Sequence, residues 1–221
     1  MTGSPLEPRF PATLEIDYPE RDLNRLTSFF RPLTFIPIGI LLALLSGPTP
    51  LGQPSHEVAE SGRTMMLTVG AGGILFLPVA LMLVFRRKYP EWWFDWNLAL
   101  AGFATRCLAY LALLRDEYPS TDEEQAVHLA LRYPDAGTEL DRWLPLVKWF
   151  LAIPHYILLG FLAVGAVVAV VIAWFAILLT GRYPRALFDF VTGVIRWGLR
   201  VEAYAFLLIT DRYPPFSLRP L

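Results

Sequence analysis

A single cysteine, Cys107, leaves the chain no intramolecular disulfide and no multi-cysteine metal site, and reads as a small buried hydrophobe. Charge is scarce too: Asp, Glu, Lys and Arg make up 18% of 221 residues, against roughly 25% in soluble domains. The net charge of −1 points to no nucleic acid and no strongly anionic partner. Residues 1–12 lack the basic-then-apolar pattern of a cleaved leader and read as a cytoplasmic N-terminal arm. Phosphate-binding glycine loops, dinucleotide fingerprints, H-E-x-x-H helices and G-x-S-x-G elbows are all missing, so no catalytic residue, cofactor or enzyme activity is expected. No metal site is expected either, because His155 has no second His or Cys at ligand spacing and His56 and His128 lie in other regions.

What is present in excess is apolar. Hydrophobic residues reach 55% and are concentrated in runs over 32–45, 64–85 and 144–180. The mean hydropathy of +0.44 points the same way, to an integral membrane protein. A single helix through the last run would be about 54 Å long, well beyond a hydrocarbon core of roughly 30 Å. A hairpin of two short spans turning near Gly160 to Gly165 fits better, with one tilted span behind an interfacial helix broken at Pro154 as the competing arrangement.

The chain also repeats itself. Tyr89, Asp95, Arg106 and Tyr110 recur 94 residues later as Tyr183, Asp189, Arg200 and Tyr204, and Asp116-Glu117-Tyr118-Pro119 answers Asp211-Arg212-Tyr213-Pro214. Upstream, Leu23-Asn24-Arg25-Leu26 answers Leu140-Asp141-Arg142-Trp143, and the Gly/Pro/Ser-rich stretch 46–63 is an insertion that reads as a loop. Two units follow, 13–119 and 120–221. Each opens on an alternating, strand-like segment, 13–18 or 127–133, and continues into a transmembrane hairpin. Each then carries an amphipathic helix, 91–114 or 185–209, suited to the bilayer interface, to burial against the spans, or to crossing with its polar stripe turned inward.

Basic residues set the orientation. Arg25, Arg31, Arg86, Arg87 and Lys88 flank the first hairpin and Arg142, Lys148, Arg182 and Arg185 the second, which places both hairpin ends and both chain termini in the cytoplasm. The fold class expected is an all-α integral membrane protein of two parallel repeats, with short strand-like segments. Arg182, Tyr183, Arg212, Tyr213, Trp92 and Trp93 are the candidate lipid or partner contacts, Tyr for its amphipathic ring and Arg for phosphate. Asp95, Arg106, Asp189, Arg196 and Arg200 form a polar stripe in which the aspartates are expected to pair with the arginines.

The second unit carries Ala152-Ile153-Pro154-His155-Tyr156, Thr180-Gly181-Arg182-Tyr183-Pro184, Phe188-Asp189-Phe190 and Thr210-Asp211-Arg212-Tyr213-Pro214. It resembles the DUF4389 family of bacterial membrane proteins, and the first unit is a degraded copy of the same pattern. The resemblance implies a bacterial plasma-membrane location and supplies no catalytic residue. The function expected is a non-catalytic accessory or scaffold subunit that organises membrane lipids and protein partners, or a homo-oligomer, at the cytoplasmic face. The alternative is a small transporter or channel with an Asp/Arg-lined path.

Overall fold

The computed structural model describes residues 10–19, 22–45, 76–121, 123 and 125–220. Most of the expected N-terminal arm, the inserted loop and residues 64–75 of the second apolar run therefore lie outside the described residues. The elements in chain order are β1 (Ala12–Ile16), α1 (Arg25–Leu45), α2 (Phe76–Arg86), α3 (Glu91–Leu111), β2 (Val127–Leu131), a 3-10 turn (Leu144–Leu146), the one-turn α4 (Lys148–Leu151), α5 (Ile153–Thr180) and α6 (Arg185–Ala205).

Alternation makes the strands. Ala12, Leu14 and Ile16 are buried while Glu15 is exposed, as a two-residue period requires of a half-buried strand. β1 pairs antiparallel with β2, and the register places Leu14 opposite Leu129 and Glu15 opposite His128. The inner face of this two-stranded sheet lies on α6 and α3, with β1 against α6 and β2 against α3. Arg196, midway along α6, donates to the Leu14 carbonyl at 2.9 Å, and Leu129 lies against Gly102, midway along α3. The sheet therefore sits over the middle of both helices.

Proline and glycine set the helix ends. Pro90 and Pro184 directly precede α3 and α6 with extended backbone, so the Tyr-Pro pairs at 89 and 183 start helices. Gly181 closes α5 in the left-handed region at φ 78°, and its N–H returns to the Ile177 carbonyl at 2.7 Å. In the middle of α1, Pro32 offers no N–H to the Ser28 carbonyl. That carbonyl accepts instead from the indole of Trp174 on α5 at 3.2 Å, which ties α1 to α5.

The expected hairpin over 144–180 does not form. α5 is one unbroken helix of 28 residues that runs through Gly160 and Gly165, behind the short turn and α4, with Pro154 in its first turn. An isolated glycine in an apolar helix lowers its stability by about 1 kcal/mol without ending it. At Gly165 a Cβ would meet the Phe190 ring at 3.4 Å, so the missing side chain serves close packing against α6 and not a turn.

α3 and α6 bury their apolar faces inside the protein. α6 is packed between α5 and β1, and Val191, Val194, Trp197, Leu199, Val201 and Tyr204 are all buried. The two helices also point in opposite directions. Leu111 and Leu113, at the end of α3, share a groove with Val170, Val171 and Trp174 near the C-terminal end of α5, whereas Tyr204, at the end of α6, sits beside Lys148 ahead of the N-terminus of α5. Along the helix axes α3 and α6 are thus antiparallel.

Candidate functional site: an apolar face, a polar face and two buried cations

α5 exposes Ile157, Phe161, Val164, Val168, Ile172, Phe175 and Leu179. Their spacing of three or four residues draws one stripe along the helix. Phe161 and Leu179 are 74% and 78% exposed, and the most apolar window of this helix has a mean hydropathy of 2.9. α1 continues the surface with exposed Leu26, Phe29, Leu33, Ile36, Ile40 and Leu41. By length and composition these two helices, over Arg25–Leu42 and Ile153–Thr180, are able to cross a membrane. Exposed apolar surface on this scale marks contact with lipid or with a partner.

The opposite face is polar. Glu15 and His128 stand on the outer side of the sheet, and Asp17, Glu117, Glu123, Gln125 and His128 line an open depression beside it. Among the described residues no group of three His, Cys, Asp or Glu side chains is able to hold a metal ion.

Between the faces lie two buried cations with matching partners. Arg31, only 1% exposed, forms an ion pair with Asp116 and donates to the carbonyls of Tyr110 and Arg115, both at 3.0 Å. Its guanidinium lies 4.5 Å from the centre of the Tyr110 ring. Lys148, fully enclosed, pairs with Asp211 at 2.6 Å, donates to the Thr210 carbonyl at 2.8 Å and lies 5.3 Å from the centre of the Tyr204 ring. Each aspartate also accepts a backbone N–H from seven residues upstream of its cation, Asn24 at 2.8 Å and Asp141 at 2.5 Å. Burial pulls the pKa of Lys148 below its ordinary value, while Asp211 pushes it back up. A charge so enclosed is held by its carboxylate. These cations were expected among the cytoplasmic charges that set orientation; neutralised inside the protein, they do not act as free surface charges.

The tyrosines of the Tyr-Pro pairs fasten one half of the chain to the other. The Tyr18 hydroxyl donates to the Tyr183 carbonyl at 2.5 Å, and the Tyr133 hydroxyl to the Tyr89 carbonyl at 2.5 Å. Tyr183 is itself 1% exposed, so its ring is closed off from lipid. Burial drives the phenols of Tyr89 and Tyr183 far above the ordinary value of 10.0. Arg182 is exposed and pairs with Asp22 at 2.9 Å. Arg212 is exposed, and exposed Tyr213 donates to the Leu151 carbonyl at 3.2 Å. Trp92 is exposed at the start of α3, and Trp93, half-buried, packs edge-on against it.

The polar stripe does not assemble as expected. Asp189 is exposed and pairs with Arg185 at 3.4 Å, and Asp95 is exposed at the surface of α3. The arginines bind backbone carbonyls instead. Arg106 donates to Ser120 at 3.0 Å, Arg196 to Leu14 and Leu218, and buried Arg200 to Ser217 at 3.0 Å and Arg219 at 2.6 Å. Burial, and then the charge of Arg196, bring the Arg200 pKa down to about 10, so it remains charged at neutral pH. Arg196 and Arg200 thus pin the C-terminal tail across α6. That tail brings Phe216 over the buried ring of His155, with centroids 4.1 Å apart, while Nδ1 of His155 accepts from the Trp197 indole at 3.2 Å. Cys107 is buried, and burial raises its thiol pKa to about 12, so it is inert at neutral pH.

Comparison with known protein families matches residues 143–217 to a family described as DUF4389, a domain of unknown function. The match covers the short turn, α4, α5, α6 and most of the tail. No curated protein and no solved structure gives a significant match.

Proposed function

We propose that the protein is a non-catalytic accessory or scaffold subunit of a bacterial plasma-membrane complex, built by duplication of one unit and seated in the membrane by α1 and α5. The observation that carries this reading is the apolar stripe from Ile157 to Leu179, which stands exposed. At about 1.5 Å per residue it runs for roughly 33 Å, a length that only lipid or a large partner covers. Duplication is supported by contacts that occur twice at matching positions. These are the two cation–aspartate pairs, the two tyrosine hydroxyls on carbonyls of the other half, and Leu113 and Leu208, left-handed at φ 63° and 57° just beyond α3 and α6.

The scaffold role rests on surface. Trp92, Trp96, Trp143, Trp149 and Phe150 are exposed around the ends of the helices, in addition to the stripe. Tryptophan is enriched at membrane interfaces and at protein contacts alike. The alternative, a conduction path lined by Asp95, Arg106, Asp189, Arg196 and Arg200, draws no support from these contacts, since the arginines are engaged with backbone carbonyls.

Purification from native membranes in mild detergent, followed by mass spectrometry, tests the proposal. Other membrane subunits are expected at comparable abundance to this chain. Recovery of the chain with lipid alone would remove the scaffold role and leave only the membrane seat.

A further inference from the structure

We infer that α1 and α5 lie along the membrane surface, buried in one leaflet, instead of crossing it. The inference rests on the membrane reading above and departs from the spanning topology that hydropathy alone gives. Its basis is the position of the sheet. β1 and β2 sit over the middle of α6 and α3, at Arg196 and Gly102, and α6 runs antiparallel to α5 from Phe190 against Gly165 to Trp197 against His155. Were α5 to stand across the bilayer, the sheet would lie near mid-depth. Glu15, His128 and Asp17 would then face acyl chains, and a two-stranded sheet, with no further strand on either edge among the described residues, would stand in hydrocarbon. Open sheet edges and exposed loops do not occur in that region, because no water is there to satisfy the backbone.

Laid flat, the same molecule fits a leaflet. The polar face, with Glu15, Asp17, Glu117, Glu123 and His128, turns to water, and the stripe of α5 with the exposed face of α1 turns to lipid. A helix with its side chains is about 10–12 Å across, which one leaflet of a core roughly 30 Å thick accommodates. At about 42 Å, α5 is long for a perpendicular crossing but unconstrained in the plane. Charge completes the fit. Exposed Arg25, Arg182 and Arg185, the last two paired with Asp22 and Asp189, gather at the C-terminal end of α5, while exposed Arg86, Arg87, Lys88 and Arg142 gather at the other end, where the Arg142 guanidinium donates to the Val84 carbonyl at 2.5 Å. Guanidinium and ammonium groups at both ends of an apolar strip match anionic headgroups of a single leaflet.

Spin labels at single cysteines replacing Ile157, Val164, Ile172 and Leu179, in the full chain reconstituted in phosphatidylglycerol-containing bilayers and with inert Cys107 kept, measure depth by collision with oxygen and with a water-soluble nickel complex. The expected result is one common shallow depth at all four sites. A profile deepest at Val164 and Ile172 and shallow at both ends would mean a crossing helix and would overturn the inference while leaving the membrane reading intact. Equal access of the nickel complex at all four sites, as in water, would overturn both. A second measurement avoids the stripe: Trp143→Cys, just ahead of the short turn that leads into α5, and Thr180→Cys, at the C-terminal end of α5, are treated with a membrane-impermeant maleimide in spheroplasts and in inverted vesicles. Both sites reacting from the same side is expected; one from each side would mean a crossing helix.

Discussion

At the scale of single residues, the two buried tyrosines that precede α3 and α6 differ in one hydrogen bond. The Tyr89 hydroxyl donates to the Leu207 carbonyl at 2.7 Å, whereas the Tyr183 hydroxyl is enclosed without a partner among the described residues. Tyr89→Phe therefore leaves a buried carbonyl unpaired and is expected to cost about 1 kcal/mol, while Tyr183→Phe is expected to be neutral or slightly stabilising at pH 7. Above pH 10 both phenols matter. Their folded pKa values are raised, so the unfolded chain loses the protons first, and the stability they contribute below pH 10 is lost as pH rises towards the folded values. Thermal unfolding in detergent from pH 8 to 11 checks this: wild type should lose stability above about pH 10, and Tyr183→Phe should lose less. Equal slopes for the two proteins would refute the assignment.

Helix by helix, the carbonyl that Pro32 leaves free makes a hydrogen bond between α1 and α5. Trp174→Phe removes the indole donor from Ser28 and is expected to destabilise the fold by roughly 1 kcal/mol. Pro32→Ala restores an N–H within α1, so the loss from Trp174→Phe should shrink in that background; a double-mutant cycle reads the difference, and strict additivity would mean the bond carries no energy. Much at this scale was legible in the sequence. Alternation at Leu14, Ile16, Val127 and Leu129 marked both strands, and Tyr-Pro marked chain redirection at 89 and 183. The hairpin over 144–180 was misread because Gly160 and Gly165 signal a turn and close packing in the same letters. The ion pairs of the polar stripe were misread because one helical face was counted without the tail, whose carbonyls reach Arg196 and Arg200 first. The cation–aspartate pairs were missed, although the sequence held a signal. Arg31 and Lys148 follow Asn24 and Asp141 by seven residues, and Asp116 and Asp211 each stand two residues before a Tyr-Pro.

Taken whole, the molecule divides its surface into a greasy side and a wet side, and substitutions should sort by side more than by residue type. Phe161→Asp places a carboxylate on the greasy side. A carboxylate in hydrocarbon costs about 2.5–3.5 kcal/mol at full depth, so the fraction released from membranes by alkaline carbonate is expected to rise several-fold. Glu15→Gln on the wet side should leave that fraction unchanged. Equal release of the two variants would mean that lipid does not cover the α5 stripe. No single window of sequence carries this division, because it arises when α3 and α6, each apolar enough to be mistaken for an interfacial helix, become the filling between two unlike outer layers.

The pairing of β1 with β2 also sets a clock. Leu14 meets Leu129, about 115 residues later in the chain. At a ribosomal rate of roughly 5–20 residues per second, the first strand waits on the order of ten seconds for its partner to be made. Throughout that interval α1 is already synthesised, with no α5 to receive its freed carbonyl and no Asp116 for Arg31 until α3 has followed. The nascent first half therefore emerges with an open strand and an uncovered apolar helix at once, and on the membrane reading proposed above early delivery to a membrane surface is expected to shorten its exposure to aggregation.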